Sequence, residues 1–165
     1  MADQVKAVPQ GYHTLTSYLV VNDANRAIEF YKQAFGAEEV VKMAGPGGKI
    51  GHAELRIGDS VVMLSDEIPG GSGKSPLSLG GSSASLFMYV EDVDAVFNQA
   101  VKAGAKADAA PENMFWGDRF GRLTDPFGHP WGVATHIEDV APEEMKKRMK
   151  AATAQMSQTA GHEGG

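Results

Sequence analysis

The sequence predicts an α+β fold built from two βαβββ modules, and three observations predict it. Short apolar runs with β-branched residues alternate with two amphipathic helical stretches. The landmarks recur: Val21-Asn22-Asp23 with Gly36-Ala37 corresponds to Val90-Glu91-Asp92 with Gly104-Ala105, and the two Asp-to-Gly intervals differ by one residue. Gly58 and Gly128 each sit in a turn before a closing strand, so three turns align in the same order.

Thr14–Val21 reads as the first strand. Asp23 then caps a helix over Ala24–Phe35, because its carboxylate can accept the free N–H groups of the first turn. Ala27, Ile28, Tyr31 and Phe35 share one face, and Gly36 supplies the stop. Glu39–Met43 is a strand, Gly45-Pro46-Gly47-Gly48 a turn, and His52–Ile57 and Ser60–Leu64 are strands around Gly58-Asp59. The stretch 66–83 is rich in Gly, Ser and Pro and reads as a linker or mobile loop. The pattern restarts with a strand over Ala84–Val90, a cap at Asp92 and a helix over Val93–Ala103. Strands follow near Ala105–Ala109, Arg119–Thr124 and Pro130–His136. Asp125-Pro126-Phe127-Gly128 is the turn between the last two, and turn geometry alone accounts for its residues.

These elements divide the chain into an N-terminal extension (1–11), a first module (12–66), a linker (67–83), a second module (84–140) and a tail (141–165). In the tail, Pro142, Glu143 and Glu144 suit a first helical turn. Met145, Met149, Ala152 and Met156 form a stripe that either packs on its own domain or docks on a second protomer. Gly161–Gly165 is expected to be disordered.

Composition limits the function. With 42% hydrophobic and 22% charged residues, the chain is an ordinary globular one, and 165 residues suffice for a core without staples. Cysteine is absent, which excludes disulfides, zinc-thiolate sites and cysteine nucleophiles. The net charge is −6 with no basic run, so nucleic acid is not expected as a partner. No apolar run approaches the roughly 20 residues that span a bilayer. Met1–Gln10 lacks a secretory apolar stretch, and a cytoplasmic location is expected. The Gly45–Gly48 and Gly70–Gly73 stretches lack the strand-before, helix-after setting of a phosphate loop.

The stretches Ala27-Ile28-Glu29-Phe30-Tyr31, Ile50-Gly51-His52-Ala53-Glu54-Leu55 and Thr124-Asp125-Pro126-Phe127-Gly128-His129-Pro130-Trp131 resemble the PhnB-like branch of the vicinal oxygen chelate superfamily. That superfamily includes glyoxalase I, extradiol dioxygenases, fosfomycin-resistance and bleomycin-binding proteins. The resemblance covers roughly residues 12–140 and is specific for fold rather than reaction. It implies curved mixed sheets forming one cleft, the glyoxalase/bleomycin resistance fold, in a homodimer that takes a small-molecule ligand.

Strand alternation assigns the faces. Ala53, Leu55 and Ile57 are expected against the helix, leaving His52, Glu54 and Arg56 on the face that the resemblance makes a cavity. Thr16 and Tyr18 in the first strand, and Ser85 and Phe87 in the fifth, are expected inward. The resemblance places metal ligands at four positions, which here are Thr16, Met63, Ser85 and Gly132. None is a His or a carboxylate, so no metal and no cofactor is expected. His52 and Glu54 supply two donors, and His13 or His136 are only guesses for a third. Trp116 is expected to close over a ligand, Arg122 to meet an anionic group, and Asp118 to pair with Arg119.

The expected function is a metal-independent small-molecule enzyme of lyase/isomerase-like proton-transfer chemistry. His52 and Glu54 would be its catalytic residues. Thr16, Tyr18, Arg56, Met63, Ser85, Phe87, Trp116 and Arg122 would bind substrate. The alternative is a non-catalytic protein that sequesters an amphipathic compound, for which the acidic balance favours cationic ligands. A metal-dependent glyoxalase or dioxygenase is the least expected.

Overall fold

Two aspartate caps start the two long helices, and two glycines end them. Asp23 accepts the Arg26 N–H at 3.0 Å to open α1 (Ala24–Phe35), which closes at Gly36 with φ 65°. Asp92 accepts the Ala95 N–H at 2.9 Å to open α3 (Val93–Ala103), which closes at Gly104. The computed structural model describes residues 5–71 and 73–160, with backbone alone over 156–160. The expectation of disorder for Gly161–Gly165 therefore lies outside the described residues, as do the side chain of Met156 and the start of the N-terminal extension.

The strands are β1 (Ser17–Val21), β2 (Glu38–Ala44), β3 (Ile50–Ile57) and β4 (Ser60–Asp66) in the first half. The second half has β5 (Leu86–Tyr89), β6 (Lys106–Asn113), β7 (Asp118–Thr124) and β8 (Pro130–His136). They form two four-stranded sheets of equivalent order, β1-β4-β3-β2 and β5-β8-β7-β6. In each, the first strand lies parallel to the last and the remaining pairs are antiparallel. This is the expected α+β architecture of two open mixed sheets with helices. β1 begins at Ser17, so Thr14 and Thr16 precede it in irregular chain.

The two halves share one core, joined helix to helix. α1 packs on α3, and the Gln99 amide donates to the Gln33 and Ala34 carbonyls at 2.8 and 3.2 Å. Tyr31, Ile28, Leu55, Leu64, Phe97, Leu123, Trp131 and Val133 are buried together. The buried Asp125 ties this core across the halves. It accepts the Tyr31 hydroxyl at 2.7 Å, the Trp131 indole N–H at 2.9 Å, and the N–H groups of Phe127 and His129 at 2.9 Å each.

The Gly/Ser/Pro-rich connection carries a short helix, α2 (Pro76–Leu79). Glu67 holds it, accepting the Ser75 N–H at 3.1 Å and the Ser75 and Ser78 hydroxyls at 2.9 and 2.7 Å. The tail forms α4 (Pro142–Ala160), and no strand or other helix packs along it. Of the methionine stripe, Met145 and Ala152 are half-buried and Met149 is exposed.

Candidate functional site

With both helices on the shared core, the far face of each sheet is open. On the first sheet, Tyr18 and Glu54 both stand beside Met63, on neighbouring strands. The period-two alternation of β3 buries Ala53 and Leu55 against the helix side and leaves His52, Glu54 and Arg56 on the open face.

Four side chains form a hydrogen-bonded chain there. Tyr12 donates its hydroxyl to Glu54 Oε2, the other Glu54 oxygen faces His52 Nε2 at 3.0 Å, and His52 Nδ1 faces the Tyr18 hydroxyl at 3.3 Å. Hydrogen bonds from His52 and then Tyr12 hold the Glu54 carboxyl below the usual glutamate range. The Tyr12 phenol is raised, first by its hydrogen bond to Glu54. Both shifts keep Glu54 ionised and Tyr12 protonated. An ionised carboxylate can only accept, so Nε2 of His52 carries a hydrogen, and in a neutral ring that tautomer leaves Nδ1 a lone pair facing the Tyr18 O–H. Tyr18 is 50% exposed, and its hydroxyl is the outer end of the chain.

The second sheet repeats the geometry with different chemistry. Phe87 and Arg122 stand beside Gly132 as Tyr18 and Glu54 stand beside Met63. Phe87 and Phe120 stack at 5.4 Å with an interplanar angle of 11°. They close over Gly132, where a Cβ would lie 2.7 Å from Phe87 and 2.8 Å from Phe120. Phe87, Phe120, Arg122, Ser85 and Trp131 line a pocket of about 270 Å³, with Asp108 at its edge. A larger cavity of about 820 Å³ lies between the β3–β4 turn and β5, with Thr16, Ser85 and Phe87 in its wall.

Asp118 and Arg119 do not pair with each other. Consecutive strand residues point to opposite faces, and Arg119 forks onto Asp94 at 2.6 and 2.8 Å. Asp118 is buried and accepts Trp116 Nε1–H at 3.0 Å, the Tyr89 hydroxyl at 3.1 Å and, at 2.7 Å, His136 Nδ1. Trp116 thus packs near Phe120 with its indole nitrogen engaged.

The expected residues accordingly fall into two groups. His52, Glu54, Tyr18, Met63 and Arg56 share the first sheet's open face, and Ser85, Phe87 and Arg122 share the second sheet's pocket. Neither cavity is bordered by His52 or Glu54. Thr16 lies in the wall of the larger cavity. Tyr12 was missed by sequence reasoning, because it sits in irregular chain ahead of β1 and meets Glu54 only through the tertiary fold.

The metal that the fold family implies does not fit these residues. The parallel register sets Tyr18 beside Met63 and Phe87 beside Gly132, a set with no imidazole and no carboxylate. Among the described residues, no three His, Asp or Glu side chains converge to hold an ion.

Comparison with known proteins accords with this architecture. The family model described as Glyoxalase/Bleomycin resistance protein/Dioxygenase superfamily matches residues 12–133. An uncharacterised protein of Mycobacterium tuberculosis is 44% identical over 140 residues, 83% of this chain and 82% of that protein. The crystal structure of TioX from Micromonospora superposes with a TM-score of 0.60 at 26% identity, covering 76% of this chain and 99% of TioX. A PhnB protein from Bacillus cereus shares the fold at a TM-score of 0.58 and 20% identity, covering 74% of this chain and 99% of its own. With two equivalent βαβββ halves and a family match across both, the chain belongs to the glyoxalase/bleomycin resistance protein/dioxygenase superfamily.

Proposed function

We propose that this protein is a metal-independent small-molecule enzyme that moves a proton on its substrate, in lyase/isomerase-like chemistry. The observation that carries this reading is the chain Tyr12–Glu54–His52–Tyr18. Neutral His52 Nδ1 takes the Tyr18 proton as the phenol oxygen takes one from the substrate, and Glu54 stabilises the imidazolium that forms. The same path returns the proton to another substrate atom, so no oxidant or reductant is consumed. Arg56, exposed on the same strand face, holds the negative charge that develops on the substrate.

The protein is a homodimer in this reading. Support comes from the exposure of Tyr18 and Met43 on one sheet and of Phe87 and Tyr89 on the other, apolar surface of the kind that marks interfaces. A second copy also gives the first sheet's acid/base face a route to the cation of Arg122, which one chain keeps in a separate pocket. A cytoplasmic location accords with the lack of cysteine, and no helix among the described residues is long and apolar enough to cross a membrane.

Native mass spectrometry of small molecules that co-purify with the protein identifies the probe for the test. With that compound, His52→Ala and Glu54→Gln are expected to lower kcat by about 100-fold or more while leaving its affinity within about threefold. A chelator is expected to leave turnover unchanged. A ligand that emerges unaltered, with both variants binding it normally, contradicts catalysis and supports sequestration. The stacked Phe87–Phe120 pair beside Arg122 favours that second reading, because it offers a flat apolar wall next to a cation.

A further inference from the structure

Helix α4 leaves the second module on a built mount. The N–H groups of Ile137 and Glu138 both donate to the Gly117 carbonyl, at 2.9 and 3.0 Å. The approach is so close that a Cβ on Gly117, whose φ is +100°, would lie 2.1 Å from the Glu138 carbonyl oxygen. Arg148 then fixes the second turn of the helix. Its guanidinium forks onto both Glu138 oxygens at 2.8 Å, and it also donates to Glu144 at 2.9 Å and to the Phe115 carbonyl at 3.3 Å. The direction in which α4 departs is set at its root.

Past that root, no described strand or other helix makes an extended contact with α4. Met149 is 52% exposed. The hollow beside it is lined, among the described residues, by side chains of α4 itself: Lys146, Met149, Lys150, Thr153 and Ala154. Met145 and Ala152 are only half-buried, and a helix that buries so little apolar surface over 142–155 relies largely on intrinsic propensity, which is marginal in water. The mount therefore holds in place an element whose exposed Met149 face a second molecule can cover.

Charge selects that molecule. α4 carries Lys146, Lys147, Arg148 and Lys150 against Glu143 and Glu144. Setting aside the four basic and three acidic residues beyond Ala141 moves the net charge of the rest of the chain from −6 to −7. A basic arm and an acidic body complement each other between two copies, whereas that body is repelled by an anionic lipid surface. We propose that α4 is a docking arm that lays its Met149 face and its lysines on the acidic body of a second copy of this chain, each copy reaching the other across a two-fold axis. The inference rests on the homodimer reading above and adds the element that holds the dimer together.

Sedimentation of the full-length protein tests it, comparing wild type with Met149→Glu and with the double variant Lys146→Glu/Lys150→Glu. Near-ultraviolet circular dichroism confirms that each variant keeps its fold, which is expected because all three side chains are exposed. Both variants are expected to raise the dimer dissociation constant by about tenfold or more. A smaller rise in both overturns the arm while leaving the homodimer intact, and a monomeric wild type overturns both. Flotation with vesicles of equal parts phosphatidylserine and phosphatidylcholine completes the test. Wild-type protein that floats, together with variants that stay down and dimerise normally, assigns α4 to a lipid surface and overturns the proposal.

Discussion

Glu54 shows how far one residue's neighbours decide its role. Alternation in β3 places it beside His52 and Arg56, and that much is legible in the sequence because a strand has only two faces. Its carboxyl is held below the usual glutamate range first by the His52 hydrogen bond and then by the Tyr12 hydroxyl, 42 residues away in a segment with no periodicity to read. Asp118 is a similar case. It neighbours Arg119 in sequence, yet its partners are Trp116, Tyr89 and His136, and Arg119 pairs with Asp94 on another element.

Two outcomes belong to single residues. Gly117→Ala is expected to destabilise the fold by about 3 kcal/mol or more, since it adds positive-φ strain to a backbone overlap; urea unfolding measures this. Glu67 is held down to about 2, first by the Ser78 hydroxyl and then by the Ser75 N–H and hydroxyl. Because its folded value is depressed, its stabilising contribution is present above the ordinary glutamate range and fades as pH falls toward 2. Carbon-13 titration of the Glu67 carboxyl is expected to show a midpoint near that value. A midpoint in the ordinary range of about 4.3 means the grip on α2 is absent.

Elements were legible where local chemistry sets their ends. α1 and α3 match expectation at both termini because an aspartate cap and a positive-φ glycine bracket each. α2 was not legible, because four residues in a Gly/Ser/Pro-rich stretch carry no period. Its stability comes from Ser75 and from Glu67, which lies outside the helix. β1 runs shorter than its apolar pattern because β4 pairs with it only from Ser17. The Asp125 turn is where sequence and tertiary readings meet, since the same carboxylate shapes the turn and bonds α1. Asp125→Ala strips the acceptor from four buried donors, and chemical denaturation is expected to show a loss of about 3–5 kcal/mol. A loss below about 1 kcal/mol contradicts that role.

At the scale of the whole molecule, the duplicated pattern foretold the two sheets but not how they face. The helix-to-helix junction depends on contacts across more than sixty residues, as when the Gln99 side-chain amide donates to the Gln33 backbone carbonyl, and no repeat encodes that. The Tyr12–Glu54–His52–Tyr18 chain and the aromatic pocket with Arg122 occupy equivalent positions on the two sheets, and neither of the two cavities described above is bordered by His52 or Glu54. Residue type alone argues against an ion at Thr16, Met63, Ser85 and Gly132, and the register sets Tyr18 and Phe87, rather than Thr16 and Ser85, beside Met63 and Gly132.

In the proposed proton transfer, Glu54 sets the state of His52 so that Nδ1 is free to take a proton through Tyr18. Nitrogen-15 NMR of the imidazole tests it most directly. In wild-type protein near neutral pH, the neutral His52 ring is expected to carry its hydrogen on Nε2, and Glu54→Ala is expected to release it into a tautomer mixture. A wild-type ring protonated on Nδ1 instead would contradict the account.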